Sequence, residues 1–198
     1  NTLKRLNKVF PKVKLQQTYG LSEVGILRSK SESSNSLWVK IGGEGFKTRI
    51  KKRLLEIKAE SAMIGYLNAP NPFTKDGWFK TGDEVIEKNG YIKILGRKSE
   101  IINVGGEKVY PQEIENVIIE DEQISDVIVY AEKNMIIGNI VCAKIALSKK
   151  VENKKFINDL KKRCSKKLEH YKIPMKIQIE KNLNFNPRFK KSRNLKNV

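Results

Sequence analysis

Residues 90–115 read GYIKILGRKSEIINVGGEKVYPQEIE, and the way this stretch breaks up decides the fold. Tyr91, Ile92, Ile94 and Leu95 make a short apolar strand. Asn89-Gly90 ahead of it favours a tight hairpin turn, because both residue types tolerate the left-handed backbone such a turn requires. The strand stops at Gly96-Arg97-Lys98-Ser99-Glu100, a charged run whose glycine can serve as linker or hinge. A second hairpin follows, with apolar Ile101, Ile102, Val104 and Val109 flanking Gly105-Gly106-Glu107-Lys108. Pro111 then opens a helix: at the first helical position its missing N–H is one that would have no intrahelical acceptor. The order is strand, hinge, Gly-rich hairpin, helix.

Downstream of this stretch the pattern predicts a small α+β unit. A helix runs from Pro111 to about residue 121, with Ile114, Val117 and Ile118 on its apolar face. Two apolar strands cover residues 124–130 and 136–147. A basic amphipathic helix spans 151–168, where Phe156, Leu160, Cys164 and Leu168 recur every four residues. A last strand lies within 172–180, after Pro174. His170, the single histidine, reads as a capping or surface residue.

Upstream, residues 1–9 read as the end of an amphipathic helix, with Leu3, Leu6 and Val9 or Phe10 on one face. A strand over 12–18 leads into Tyr19-Gly20-Leu21-Ser22-Glu23, and a Ser-rich surface loop covers 28–36. Strands at 37–41, 46–50 and 54–58 are separated by Gly42-Gly43 and by Lys51-Lys52-Arg53. Such close spacing suggests a meander or a small barrel. A short helix is expected over 62–67, with Met63, Ile64 and Tyr66 in the core. The fold class is therefore α+β: a strand-rich, barrel-like segment over 1–95, then a small α+β domain over 96–198.

Composition bounds the function. The 198 residues suffice for one or two domains, and 39% hydrophobic with 31% charged residues suits a globular protein. No apolar run approaches the roughly 20 residues that span a bilayer, so no transmembrane segment is expected. Cys142 and Cys164 lack metal-site spacing and read as reduced thiols of a cytoplasmic protein. The net charge is +18, from 40 Lys+Arg against 22 Asp+Glu. The excess is mostly lysine, spread along the chain without interleaved aromatics, and lysine lacks the planar fork that reads bases. We therefore expect an anionic ligand and no specific nucleic acid. A non-catalytic, basic polyanion-binding module is the rival reading.

Three motifs carry chemistry. In Tyr19-Gly20-Leu21-Ser22-Glu23 an aromatic face that suits a flat purine precedes a carboxylate that suits a hard cation; an ordinary strand-end turn has the same composition. In Thr81-Gly82-Asp83, preceded by Gly77-Trp78-Phe79, the carboxylate can accept two hydrogen bonds from vicinal hydroxyls; an Asx-type turn is the alternative. The tail Asn186-Pro187-Arg188-Phe189-Lys190-Lys191-Ser192-Arg193 is basic and contains a proline.

Gly96, Arg97, Glu100, Ile102, Gly106, Val109, Pro111, Glu113, Ile114 and Glu115 together resemble the hinge and Gly-turn segment of the adenylate-forming superfamily: acyl-CoA synthetases, luciferases and peptide-synthetase adenylation domains. Residues 19–23 resemble its Tyr-Gly-x-Ser/Thr-Glu motif, and residues 77–83 its Gly-Trp-x-x-Thr-Gly-Asp motif. The tail resembles its closing Ser/Thr-Gly-Lys-aliphatic-x-Arg motif, with Phe189 in place of the glycine and Lys191 in place of the aliphatic residue. The resemblance implies roles. Tyr19 packs on adenine, Gly20 belongs to the same cofactor-binding segment, Ser22 lies near the phosphates, and Glu23 holds Mg2+. Asp83 grips the ribose, and Arg97 the ribose or phosphate side. Lys190 is the catalytic lysine, with Lys191 the fallback. Ser99 is the hinge, where Asp or Lys is usual. Gly105 and Gly106 line a pantetheine tunnel.

The implied activity is that of an AMP-forming acid–thiol ligase. It uses ATP, a carboxylic acid and Mg2+ to make an acyl-adenylate with release of pyrophosphate, then passes the acyl group to the thiol of coenzyme A or of an acyl carrier protein's phosphopantetheine with release of AMP. Nothing before Tyr19 resembles the family's Gly-rich phosphate loop, and the first residue is Asn1. We therefore expect a fragment or processed piece that does not complete adenylation alone. Fatty, aryl and amino acids all stay open as substrates.

Overall fold

The computed structural model describes residues 2–149, 152–181 and 183. The chain divides into two compact units, Asn1–Ser99 and Glu100–Val198.

The first unit opens with α1 (Thr2–Val9) and a small antiparallel hairpin of β1 (Tyr19–Leu21) and β2 (Gly25–Leu27). Six further strands follow: β3 (Ser29–Ser31), β4 (Val39–Ile41), β5 (Phe46–Lys51), β6 (Leu54–Ala59), β7 (Phe79–Lys88) and β8 (Tyr91–Arg97). They form one antiparallel sheet in the order β3-β4-β8-β7-β6-β5. Val24, Leu27, Leu55, Ile57 and Val85, from the hairpin and the sheet together, are the most deeply buried residues of this unit's core. The β7–β8 turn is Asn89-Gly90, with φ of 53° and 73°, as its sequence requires. β8 continues through Gly96 and Arg97 instead of ending before them.

Two expectations fail here, for local reasons. Residues 12–18 are not a strand. The N–H groups of Leu15, Gln17 and Tyr19 donate to the hydroxyls of Ser34, Ser31 and Ser29 at 3.1, 2.8 and 3.1 Å. Side-chain acceptors thus replace a backbone ladder, and the Ser-rich segment is a partner, not a free loop. Residues 62–67 are not a helix. The Met63 N–H donates across the chain to the Glu23 carbonyl at 2.8 Å instead of closing a helical turn. Ile64 and Leu67 are fully exposed and Tyr66 is 43% exposed, so of the expected core residues only Met63 packs inward.

The second unit contains β9 (Ile102–Val104), β10 (Glu107–Val109), α2 (Pro111–Ile118), β11 (Ile124–Asn134), β12 (Gly138–Leu147), α3 (Asn153–Ser165) and β13 (Lys176–Glu180). β9 and β10 pair as a hairpin. β11-β12-β13 form a three-stranded sheet, antiparallel then parallel, the parallel step being the return that α3 makes possible. Val109, Ile114, Ile118, Val129, Ile145, Leu160 and Cys164 make the core, which puts the every-fourth-residue stripe of α3 inside. Pro111 occupies the start of α2. The helix stops at Ile118, three residues short of the expected end. Buried Glu115 accepts the Val129 N–H at 2.9 Å and so ties α2 to β11.

Candidate functional site

Asp83 sits in the middle of β7, not at a bend before a strand. Gly82 beside it has φ of 76°, and the pairing with β8 slips between Glu84 and Val85. A strand irregularity of this kind re-aims side chains. Thr81 locks it: its hydroxyl donates to the Leu55 carbonyl at 2.8 Å and accepts the Asp83 N–H at 3.0 Å. The Asp83 side chain ends between two donors. The Tyr19 hydroxyl donates to Oδ2. Arg97, its register partner on β8, donates from Nε to Oδ1 at 3.1 Å.

Asp83 is only 5% exposed, whereas half of the Arg97 side chain reaches solvent. Burial pushes the Tyr19 phenol well above its usual range, and the Asp83 charge adds to that. The ring of Tyr19 is itself a member of the first unit's core. The cluster is therefore a buried carboxylate held by a phenol and a guanidinium, with its positive side open to water.

Glu23 lies one turn beyond β1, half-buried. Its Oε1 accepts the Tyr66 hydroxyl at 2.6 Å. That hydrogen bond raises the Tyr66 phenol, with burial and the Glu23 charge adding to it and nearby Arg97 opposing it. Gly20 is closely packed: a Cβ there would lie 3.2 Å from the Gly25 carbonyl oxygen and the Ile26 Cα, so β2 would have to give by a few tenths of an ångström. Ser22 is exposed at the turn. The structure thus brings Tyr19, Asp83 and Arg97 into direct contact and pairs Glu23 with Tyr66. The sequence reading had assigned Tyr66 to the core; only its setting among Gly65, Pro70 and Pro72 hinted at a loop instead.

In the second unit, Gly105 and Gly106 form a two-residue turn with φ of 57° and 94°. A Cβ at either would meet nothing within 4 Å, so backbone sign rather than crowding favours glycine. Gly105 N–H donates to the Ile137 carbonyl at 3.1 Å, and Gly106 N–H to Asn103 Oδ1 at 2.9 Å. Ser99 lies in a single 3-10 turn, Lys98–Glu100, at the end of the first unit. Lys190 and Lys191 lie outside the described residues. Among the described residues, no group of three or more His, Cys, Asp or Glu side chains converges on a metal position. Glu23 could supply one oxygen to a divalent cation. That fits Mg2+, which keeps several waters and binds through one or two carboxylates together with phosphate oxygens.

Residues 113–190 match the AMP-binding enzyme C-terminal domain family. The 2-succinylbenzoate–CoA ligase of Geobacillus sp. (strain WCH70) is 32% identical over 184 residues, which is 83% of this chain and 37% of the relative. The mitochondrial medium-chain acyl-CoA ligase of Bos taurus is 33% identical over 126 residues, 61% of this chain and 20% of that protein. The fold superposes on o-succinylbenzoate CoA synthetase from Bacillus subtilis, solved with its acyl-adenylate intermediate, with a TM-score of 0.80 at 23% identity over 99% of this chain and 43% of that one. The chain as a whole resembles the C-terminal part of adenylate-forming acyl-CoA ligases, as its motifs led us to expect. It spans less than two-fifths of the length of these two curated relatives.

Proposed function

We propose that the chain is the C-terminal part of an AMP-forming acid–thiol ligase. The observation that carries this is the Asp83 carboxylate clasped by Tyr19 and Arg97. A carboxylate offers about four lone-pair sites. With one protein donor on each oxygen, Asp83 keeps capacity for two vicinal ribose hydroxyls. Its orientation is set in advance by those two partners, which is what positioning catalysis needs.

Attack of a carboxylic acid on the α-phosphate of ATP brings two anions together. The guanidinium of Arg97, half-exposed beside Asp83, would supply positive charge on the ribose or phosphate side of the nucleotide. Glu23 would hold Mg2+, whose chemistry is to neutralise the phosphate oxygens. Lys190, or Lys191 in its place, would supply a mobile point charge at the reacting oxygens. Gly105 and Gly106, bare of side chains, would let a pantetheine arm approach backbone. Coenzyme A is the favoured acceptor, because the curated relatives are named as coenzyme A ligases. The loading of a carrier protein is the variant that coenzyme A dependence of product formation would rule out.

The test is Asp83→Asn in the intact protein, with ATP affinity measured by calorimetry. Loss of a hydrogen-bonding charge is worth about 1.5–3 kcal/mol, so affinity should fall by roughly 10- to 150-fold. Wild-type ATP affinity in that variant, together with salt-sensitive binding to any polyanion, would instead favour a basic binding module.

A further inference from the structure

Glu23 sits on a short surface turn between β1 and β2, where a lone carboxylate would sample several rotamers. Here it does not stand alone. The Tyr66 hydroxyl, 43 residues away in sequence, donates to its Oε1 at 2.6 Å. A bond that short to an ionised acceptor is of the stronger, charge-assisted kind. The segment that brings Tyr66 is tied beneath the same turn. The Met63 N–H donates to the Glu23 carbonyl at 2.8 Å, and the Ser61 hydroxyl donates to the Val24 carbonyl at 2.9 Å. The backbone and the carboxylate of Glu23 are thus held by one strap.

Packing does not explain the placement of Tyr66. Its neighbours Ile64 and Leu67 are fully exposed, and the tyrosine itself is 43% exposed. Ala62 and Met63 pack against the core, and beyond them the tie of Tyr66 to Glu23 is polar.

We infer that Tyr66 is a positioning residue for Glu23: its hydroxyl occupies a lone pair of Oε1 and fixes the plane of the carboxylate that would coordinate Mg2+. This rests on the proposed role of Glu23. Ligand carboxylates commonly need such a partner, and losing it typically weakens metal affinity or activity about 10- to 100-fold. Tyr66 touches neither nucleotide nor metal in this scheme. It acts through Glu23 alone.

The experiment measures affinity for a non-hydrolysable ATP analogue in the intact protein, once with Mg2+ and once with EDTA. Tyr66→Phe keeps the ring and removes only the hydroxyl. The expected result is a tenfold or greater loss of the Mg2+-dependent part of the affinity, with EDTA affinity and thermal midpoint unchanged. Combining it with Glu23→Gln should cost no more than Glu23→Gln alone, since both act through one carboxylate. If Tyr66→Phe keeps the full Mg2+ gain while Glu23→Gln loses it, the inference fails and the metal role of Glu23 stands. If Glu23→Gln keeps the gain, the metal role itself fails and takes the inference with it. An equal loss in Mg2+ and in EDTA would mark a structural role for Tyr66 and overturn the inference.

Discussion

The residue with most to lose is Asp83. Its 5% exposure would be costly for a carboxylate without partners, and Tyr19 and Arg97 are what make it tolerable. Tyr19→Phe should therefore weaken nucleotide binding less than Asp83→Asn does, because Arg97 still holds Oδ1; equal losses would mean that the phenol contributes directly. A purely structural contrast is Ile114, fully buried on α2. Ile114→Ala leaves a cavity and should destabilise the second unit by about 2–5 kcal/mol, read as a lower midpoint in urea. Asp83 could be singled out in the sequence because Gly77-Trp78-Phe79 and Thr81-Gly82-Asp83 stand side by side, although the bend expected there is the middle of β7. Tyr66 could not, because its meaning is a contact with Glu23 from 43 residues away.

At the level of elements, turns read well and irregular segments read badly. Asn89-Gly90 and Gly105-Gly106 announce themselves, since both pairs need left-handed backbone and the residues supply it. Gly106→Ala adds no steric clash but keeps φ at 94°, so it should cost about 1 kcal/mol through backbone strain alone. A thermal scan showing no loss would mean that the turn changes shape to accommodate the side chain. The expected strand at 12–18 and helix at 62–67 failed for a shared reason. Apolar and polar periodicity registers neither serine hydroxyls that substitute for a ladder nor a backbone N–H that bonds across the chain.

Across the whole molecule, alkaline pH should weigh on the second unit. Burial, helped by Glu132, pushes the Cys142 thiol up to about 11. Burial opposes the charge of Lys172, but its hydrogen bonds to Glu169 and Glu113 outweigh that and raise it. Both folded pKa values lie above their unfolded ones, near 8.5 for a thiol and 10.4 for a lysine. Their contribution is complete below those values and is lost as pH climbs through the folded ones. The thermal midpoint should thus decline from about pH 8.5 to 11, and Cys142→Ala should flatten the first part of that decline.

By itself, the sequence determined what is local and periodic: the hairpin turns, the start of α2, the inward stripe of α3 and the short motifs that resemble those of adenylate-forming enzymes. These follow from backbone sterics and from burial, which act over a few residues. Only the tertiary structure decided that Tyr19, Asp83 and Arg97 converge, that Thr81 locks a slip in β7, and that Tyr66 reaches Glu23. Those contacts join strands and loops far apart in the chain, and hydrogen bonds of that kind have no period for a sequence to display.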